Sequence, residues 1–175
     1  MGRLGENCVV NVKNKSHAVT AEIVVPKSGA EGVIVAQGGN IGGWSLYAKD
    51  GKLKYCYNVG GVKYFFVESS SQLPASQHQV RMEFAYAGGG LGKGGKVTLY
   101  VDGKKVGENN IPMTQAMVFS ADDGLDIGVD TGSPVSTDYG SRGNEFNGEV
   151  KGAEIAVGER DAMQNLYELP VASHT

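Results

Sequence analysis

Cysteine, tryptophan and proline are all sparse: 175 residues hold two, one and five of them. Cys8 and Cys56 have no C-x-x-C spacing, so neither a disulfide framework nor a thiolate metal site can be built, and one bridge is the most the count allows. Cys56, set between Tyr55 and Tyr57, reads as a packed strand thiol rather than a reactive one. No apolar run approaches the roughly 20 residues of a membrane-spanning helix. No apolar secretory core follows the opening Met1-Gly2-Arg3-Leu4, so the expectation is a soluble, cytoplasmic chain with no membrane partner. Basic residues do not dominate either. The 16 Lys and Arg against 19 Asp and Glu leave a net charge of −3, and no basic stripe interleaved with aromatics occurs, which argues against a nucleic-acid partner.

Glycine, by contrast, is abundant, with 27 residues that follow no collagen period and fall at turns and strand ends. Two segments share one grammar: Trp44 to Tyr55 around Asp50-Gly51, and Val97 to Val106 around Asp102-Gly103. Asp-Gly between alternating apolar residues is a hairpin signal, because a tight turn needs positive φ and this pair supplies it at little steric cost. Val19, Ala21, Ile23 and Val25 alternate up to Pro26, Gly32 to Ala36 is a short continuous apolar run that reads as a strand buried on both faces, and Tyr64 to Val67 is a further strand. Val80, Met82, Phe84 and Tyr86 form one core face. Leu125, Ile127 and Val129 point inward, with Asp126 and Asp130 opposite, and Val150 is out of phase with Ala153, Ile155 and Val157 across Gly152, which predicts a bulge. The prediction is an all-β chain: a two-sheet antiparallel jelly-roll sandwich over 17–158, preceded by an extended segment 1–16. The C-terminal segment 159–175 carries Met163, Leu166 and Tyr167 at helical spacing and is read as a short helix and tail docked on its own sandwich, so a monomer is favoured over a homodimer.

Catalytic motifs are harder to find. Gly90-Leu91-Gly92-Lys93-Gly94-Gly95 fits G-x-G-x-x-G, but a strand follows where a nucleotide site needs a helix N-terminus. His17, His78 and His174 lack metal-ligand spacing. A glycosidase needs two carboxyl groups roughly 5–9 Å apart, yet the residue two along from Glu83 is Ala85 and from Asp126 is Gly128, so no acid pair lies on one strand. Two expectations remain. Asp122, Asp123 and Asp126 offer clustered oxygens to calcium, the one cofactor considered. Gln37, Trp44, Tyr57, Asn58 and Asp130 are the candidate ligand surface, a stacking platform with a few polar groups.

Five segments, in order, carry a family resemblance: Ala30-Glu31-Gly32-Val33-Ile34-Val35-Ala36-Gln37-Gly38-Gly39; Gly42-Gly43-Trp44-Ser45-Leu46-Tyr47 with Asp50-Gly51-Lys52-Leu53; Phe84-Ala85-Tyr86 with the glycine-rich run 88–95; Leu99-Tyr100-Val101-Asp102-Gly103; and Asp126-Ile127-Gly128 with Asp130-Thr131-Gly132-Ser133-Pro134-Val135. From about Asn11 to Val157 the chain resembles the C-terminal domain of bacterial arylsulfatases. The resemblance implies a concanavalin A-like or laminin-G-like sandwich, here without the sulfatase catalytic domain. Neither Cys8 nor Cys56 begins a formylglycine signature, so no sulfatase residue carries over. The expectation is a non-catalytic, stand-alone binding or interaction module for a glycan or a protein partner. A second reading is a glycan-active enzyme, hydrolase or lyase, with a cross-strand site.

Overall fold

A computed structural model of the protein describes residues 16–40, 42–86, 93–113, 125–131 and 133–158. The described residues form ten strands: β1 (Ser16–Val25), β2 (Gly32–Gly39), β3 (Gly42–Lys49), β4 (Lys52–Val59), β5 (Lys63–Gln72), β6 (Ser76–Tyr86), β7 (Lys93–Val101), β8 (Lys104–Met113), β9 (Leu125–Ile127) and β10 (Glu149–Gly158). They make two antiparallel five-stranded sheets, ordered β10-β1-β6-β7-β8 and β5-β4-β3-β2-β9, so the predicted sandwich is the observed one. The predicted C-terminal helix and the bulk of the N-terminal segment lie outside the described residues.

Both Asp-Gly turns have the conformation their composition demands. Asp50 and Gly51 sit at φ 53° and 83°, and Asp102 and Gly103 at 51° and 82°, the doubly left-handed pair that matches the twist of a two-residue hairpin. Alternation then sorts the side chains. Val19, Ala21, Ile23 and Val25 of β1 and Val80, Met82 and Phe84 of β6 meet Leu46, Leu53, Tyr55 and Val67 of the facing sheet in one buried core. The bulge predicted near Gly152 is present: Glu22 pairs with Gly152 and Ile23 with Val150, leaving Lys151 as the extra residue that rephases β10.

A second bulge explains the continuous apolar run of β2. Val33 pairs with Tyr47 and Val35 with Leu46, so Ile34 is extra. Ile34 and Val35 both join the main core, while Val33 and Ala36 join Tyr47 and Cys56 in a smaller cluster on the other face of the sheet. The β5 and β8 edges meet along one side of the sandwich, where Asn109 Nδ2 donates to the Phe66 carbonyl at 3.1 Å. A Cβ at Gly107 would stand 2.5 Å from the Glu68 carbonyl oxygen, so this seam requires glycine.

One sequence expectation needs correction. The alternation predicted through Asp130 stops at Ile127, because Gly128 turns the chain at φ 81° and donates its N–H to the Ile34 carbonyl, so Asp130 is buried and Val129 is half-exposed.

Candidate functional site

Residues 128–131 and 133–147 run as a strap over the outer face of the second sheet, and polar side chains hold it there. Asn58 of β4 lies beneath it, fully buried, and its Nδ2 donates to the carbonyls of Gly39 (3.2 Å), Asn40 (3.2 Å) and Val135 (3.0 Å). Asp130 Oδ2 accepts the Val135 N–H at 2.9 Å and the Tyr139 hydroxyl at 2.6 Å. Asn144 closes the strap on itself, accepting from the Asp130 N–H and donating to the Asp130 and Gly140 carbonyls, each at 2.9 Å.

Tyr47 projects from β3 into this layer. Its hydroxyl donates to Asp138 Oδ2 at 2.5 Å and lies 3.1 Å from Ser136 Oγ, while Lys54 Nζ reaches the same Asp138 oxygen at 2.6 Å. Burial, then the bond to Asp138, pushes the Tyr47 phenol well above its ordinary range. Burial and the Asp130 carboxylate do the same for Tyr139. Both phenols therefore stay protonated hydrogen-bond donors. Partial burial opposes the charge on Asp138, but the bonds from Lys54 and Tyr47 outweigh it and hold its carboxyl below the usual range. Burial raises the Cys56 thiol to about 12, as expected of a packed cysteine.

The predicted stacking platform is not on the surface. Trp44 is 0% exposed and Tyr57 3%, both facing the core, and the Trp44 ring stacks on Tyr55 at a centroid separation of 6.4 Å. The reason is register. Trp44 pairs with Gln37 and Tyr57, all three fall on the inner face, and the Trp44 Nε1–H is satisfied by Gln37 Oε1 at 3.0 Å. Gln37, Asn58 and Asp130 are buried polar connectors rather than ligand contacts. Of the predicted calcium residues, Asp122 and Asp123 lie outside the described residues. Asp126 is buried, and its Oδ2 accepts the Thr131 N–H (2.8 Å) and hydroxyl (2.9 Å), the ordinary work of an Asp at a turn. Among the described residues no three His, Cys, Asp or Glu side chains are grouped to hold a metal ion.

What the face does offer is a hollow of about 210 Å³ where the strap meets the end of β3, lined by Glu31, Gly32, Tyr47, Ala48, Lys49, Asp138, Tyr139, Gly140, Gly143 and Asn144. A half-buried tyrosine ring, two carboxylates and an ammonium group surround it. Neither Tyr139 nor the pairing of Asp138 with Tyr47 and Lys54 was legible in the sequence. Their role depends on contacts with Ser45, Tyr47 and Lys54, more than 80 residues away in the chain.

No family model and no curated protein matches the chain. Solved structures do. Domains LG4-5 of the mouse laminin alpha1 chain superpose with a TM-score of 0.52 at 18% identity, covering 90% of this chain and 38% of that one. The CBM40 of Ruminococcus gnavus IT-sialidase, bound to alpha2,3 sialyllactose, gives 0.56 at 11% identity, covering 89% and 83%. Domain 4 of AbnA, a GH43 extracellular arabinanase from Geobacillus stearothermophilus in complex with arabinotriose, gives 0.54 at 16% identity, covering 94% and 70%. The fold is laminin-G-like. At these identities the likeness concerns architecture alone.

Proposed function

We propose that this chain is a binding module related to the arylsulfatase C-terminal domain, and that it takes carbohydrate on the outer face of its second sheet. The observation that carries the reading is the hollow beside the strap, where the Tyr139 ring lies among the charged groups of Glu31, Lys49 and Asp138. Sugars ask for that combination: a flat apolar surface for the C–H face and charged hydrogen-bonding groups for the hydroxyls. At about 210 Å³ the hollow is smaller than the roughly 300–1,000 Å³ of most small-molecule sites, which suits one sugar residue at a chain end. The sialyllactose-bound and arabinotriose-bound neighbours support a glycan over other ligands. A glycan-cleaving site is less well supported. Of the two acids at the hollow, Glu31 accepts the Asp50 N–H, and Asp138, paired with Lys54 and Tyr47, has its carboxyl held below the usual range and so is not the protonated acid such a site needs.

A broad glycan array, run with and without calcium, tests the proposal. A retained glycan should lose about tenfold in affinity in Glu31→Ala or Lys49→Ala, in line with the ~1.5–3 kcal/mol of a hydrogen bond to a charged group. Lys104→Ala, on an exposed turn of the other sheet, should leave affinity unchanged. No glycan retained in either condition, or equal affinity in all three variants, overturns this site.

A further inference from the structure

A second cluster lies away from the strap, where β6 begins beside the β7–β8 turn. His78 Nδ1 is 2.6 Å from Asp102 Oδ2, and Ser76 Oγ is 3.5 Å from His78 Nε2. A carboxylate can only accept, so Nδ1 carries the proton, and in the neutral ring Nε2 is left as the acceptor that faces the serine. Asp102 is itself fixed: its Oδ1 accepts the Gln79 N–H at 2.9 Å, and its own N–H donates to the Gln79 carbonyl at 2.8 Å. The bond from the Gln79 N–H, and then the one from His78, keep its carboxyl below the usual range, so it is an anion at neutral pH. Serine, imidazole and carboxylate thus stand in the order that activates a hydroxyl nucleophile.

The backbone supplies an independent observation. Ser76 has φ 109°, one of three non-glycine residues with positive φ among those described, and the other two are the turn aspartates whose type of turn requires it. At Ser76 it falls where β6 begins, just past the bend at Ala75, on a residue whose side chain is exposed. Strain of this kind is found where a side chain must be presented rather than packed.

We propose that Ser76 is an acyl-accepting nucleophile, with His78 as its general base and Asp102 as the positioning residue, and that its substrates are small activated carboxylic esters. The Ser76 Oγ–C bond forms as the hydroxyl proton passes to His78 Nε2. The ester C–O bond then breaks, and the leaving oxygen either takes that proton or departs as an anion while His78 gives the proton to solvent, so that His78 is neutral again. Water attacks the acyl-serine with His78 again as base, the acyl–Oγ bond breaks, and the proton returns to Ser76. General-base assistance is worth about 10²–10⁴-fold, enough for esters with good leaving groups and not for amides. The exposed setting calls for a small acyl group, and Ala75, next to Ser76, lines a hollow of about 380 Å³ that can hold the remainder of a larger ester.

The test uses the whole chain with p-nitrophenyl acetate and a fluorophosphonate probe. Expected are a burst of nitrophenol and a single adduct mapped by mass spectrometry to Ser76. Ser76→Ala should abolish both, and His78→Ala should slow acylation about 100-fold. Asp102→Asn retains an oxygen for the Gln79 N–H but favours the wrong imidazole tautomer, so it should slow acylation with the half-saturating ester concentration and thermal midpoint unchanged. Adducts on lysine only, or equal hydrolysis by wild type and Ser76→Ala, overturn the proposal. Glycan retention by Ser76→Ala keeps this outcome separate from the binding site on the strap face.

Discussion

Gln37 holds the Trp44 indole N–H inside the core, and its own Nε2 is buried with no hydrogen-bond partner. That asymmetry makes a double substitution informative. Gln37→Leu alone strands the indole N–H and should cost about 1–3 kcal/mol, whereas adding Trp44→Phe removes the stranded donor, so urea denaturation should show less than additive loss. Trp44→Ala should cost about 3–5 kcal/mol, as large-to-small changes in a packed core do. Cys56 gives a second residue-scale prediction. With its thiol raised to about 12 and fully buried, iodoacetamide at pH 8 should leave Cys56 unmodified in a folded Cys8→Ala background and label it once urea is added.

Elements defined by local chemistry were legible in the sequence; those defined by distant partners were not. Asp50-Gly51 and Asp102-Gly103 turn where their composition says, and the phase break at Gly152 marks a bulge that the β1–β10 pairing contains. The apolar run of β2 showed that both faces are covered, but not that Ile34 is extra, because the bulge is a relation between β2 and β3. Aromatic residues of β3 and β4 could be recognised as strand residues, yet which of them stayed accessible depended on the strap: Trp44 and Tyr57 face the core, and Tyr47 is outside but roofed by Asp138 and Tyr139. The grouping of Ser76, His78 and Asp102 was not legible, because 24 residues separate the histidine from its aspartate and only the β6–β7 register joins them. At the β5–β8 seam, Gly107→Ala should destabilise by about 1–3 kcal/mol, the usual cost of forcing a methyl into a filled space, because the new Cβ meets the Glu68 carbonyl. A shifted urea midpoint with an unaltered m-value is the expected reading.

Across the whole molecule, acid should loosen the strap before the sandwich. The Asp138 carboxyl lies below its ordinary value when folded, so its contribution is complete above the unfolded carboxylate range and is lost as pH falls through the folded value, below about pH 4. Hydrogen exchange at pH 3 should therefore rise at residues 136–140 first, and Lys54→Met, which removes one of the two bonds to Asp138, should weaken that pH dependence. The pairing of β1 with β10 has a different consequence. Ser16 and Gly158 face each other across the ladder, about 5 Å apart as paired residues are, so the chain enters and leaves the sandwich at one point. A body with that property can be spliced into a loop of a host protein as a pendant, without prying the host open. The same closeness allows its order to be rewritten. A circular permutant that joins Gly158 to Ser16 and opens between Gly60 and Gly61, at the exposed tip of the β4–β5 turn, should keep every strand pairing and unfold in a single cooperative step.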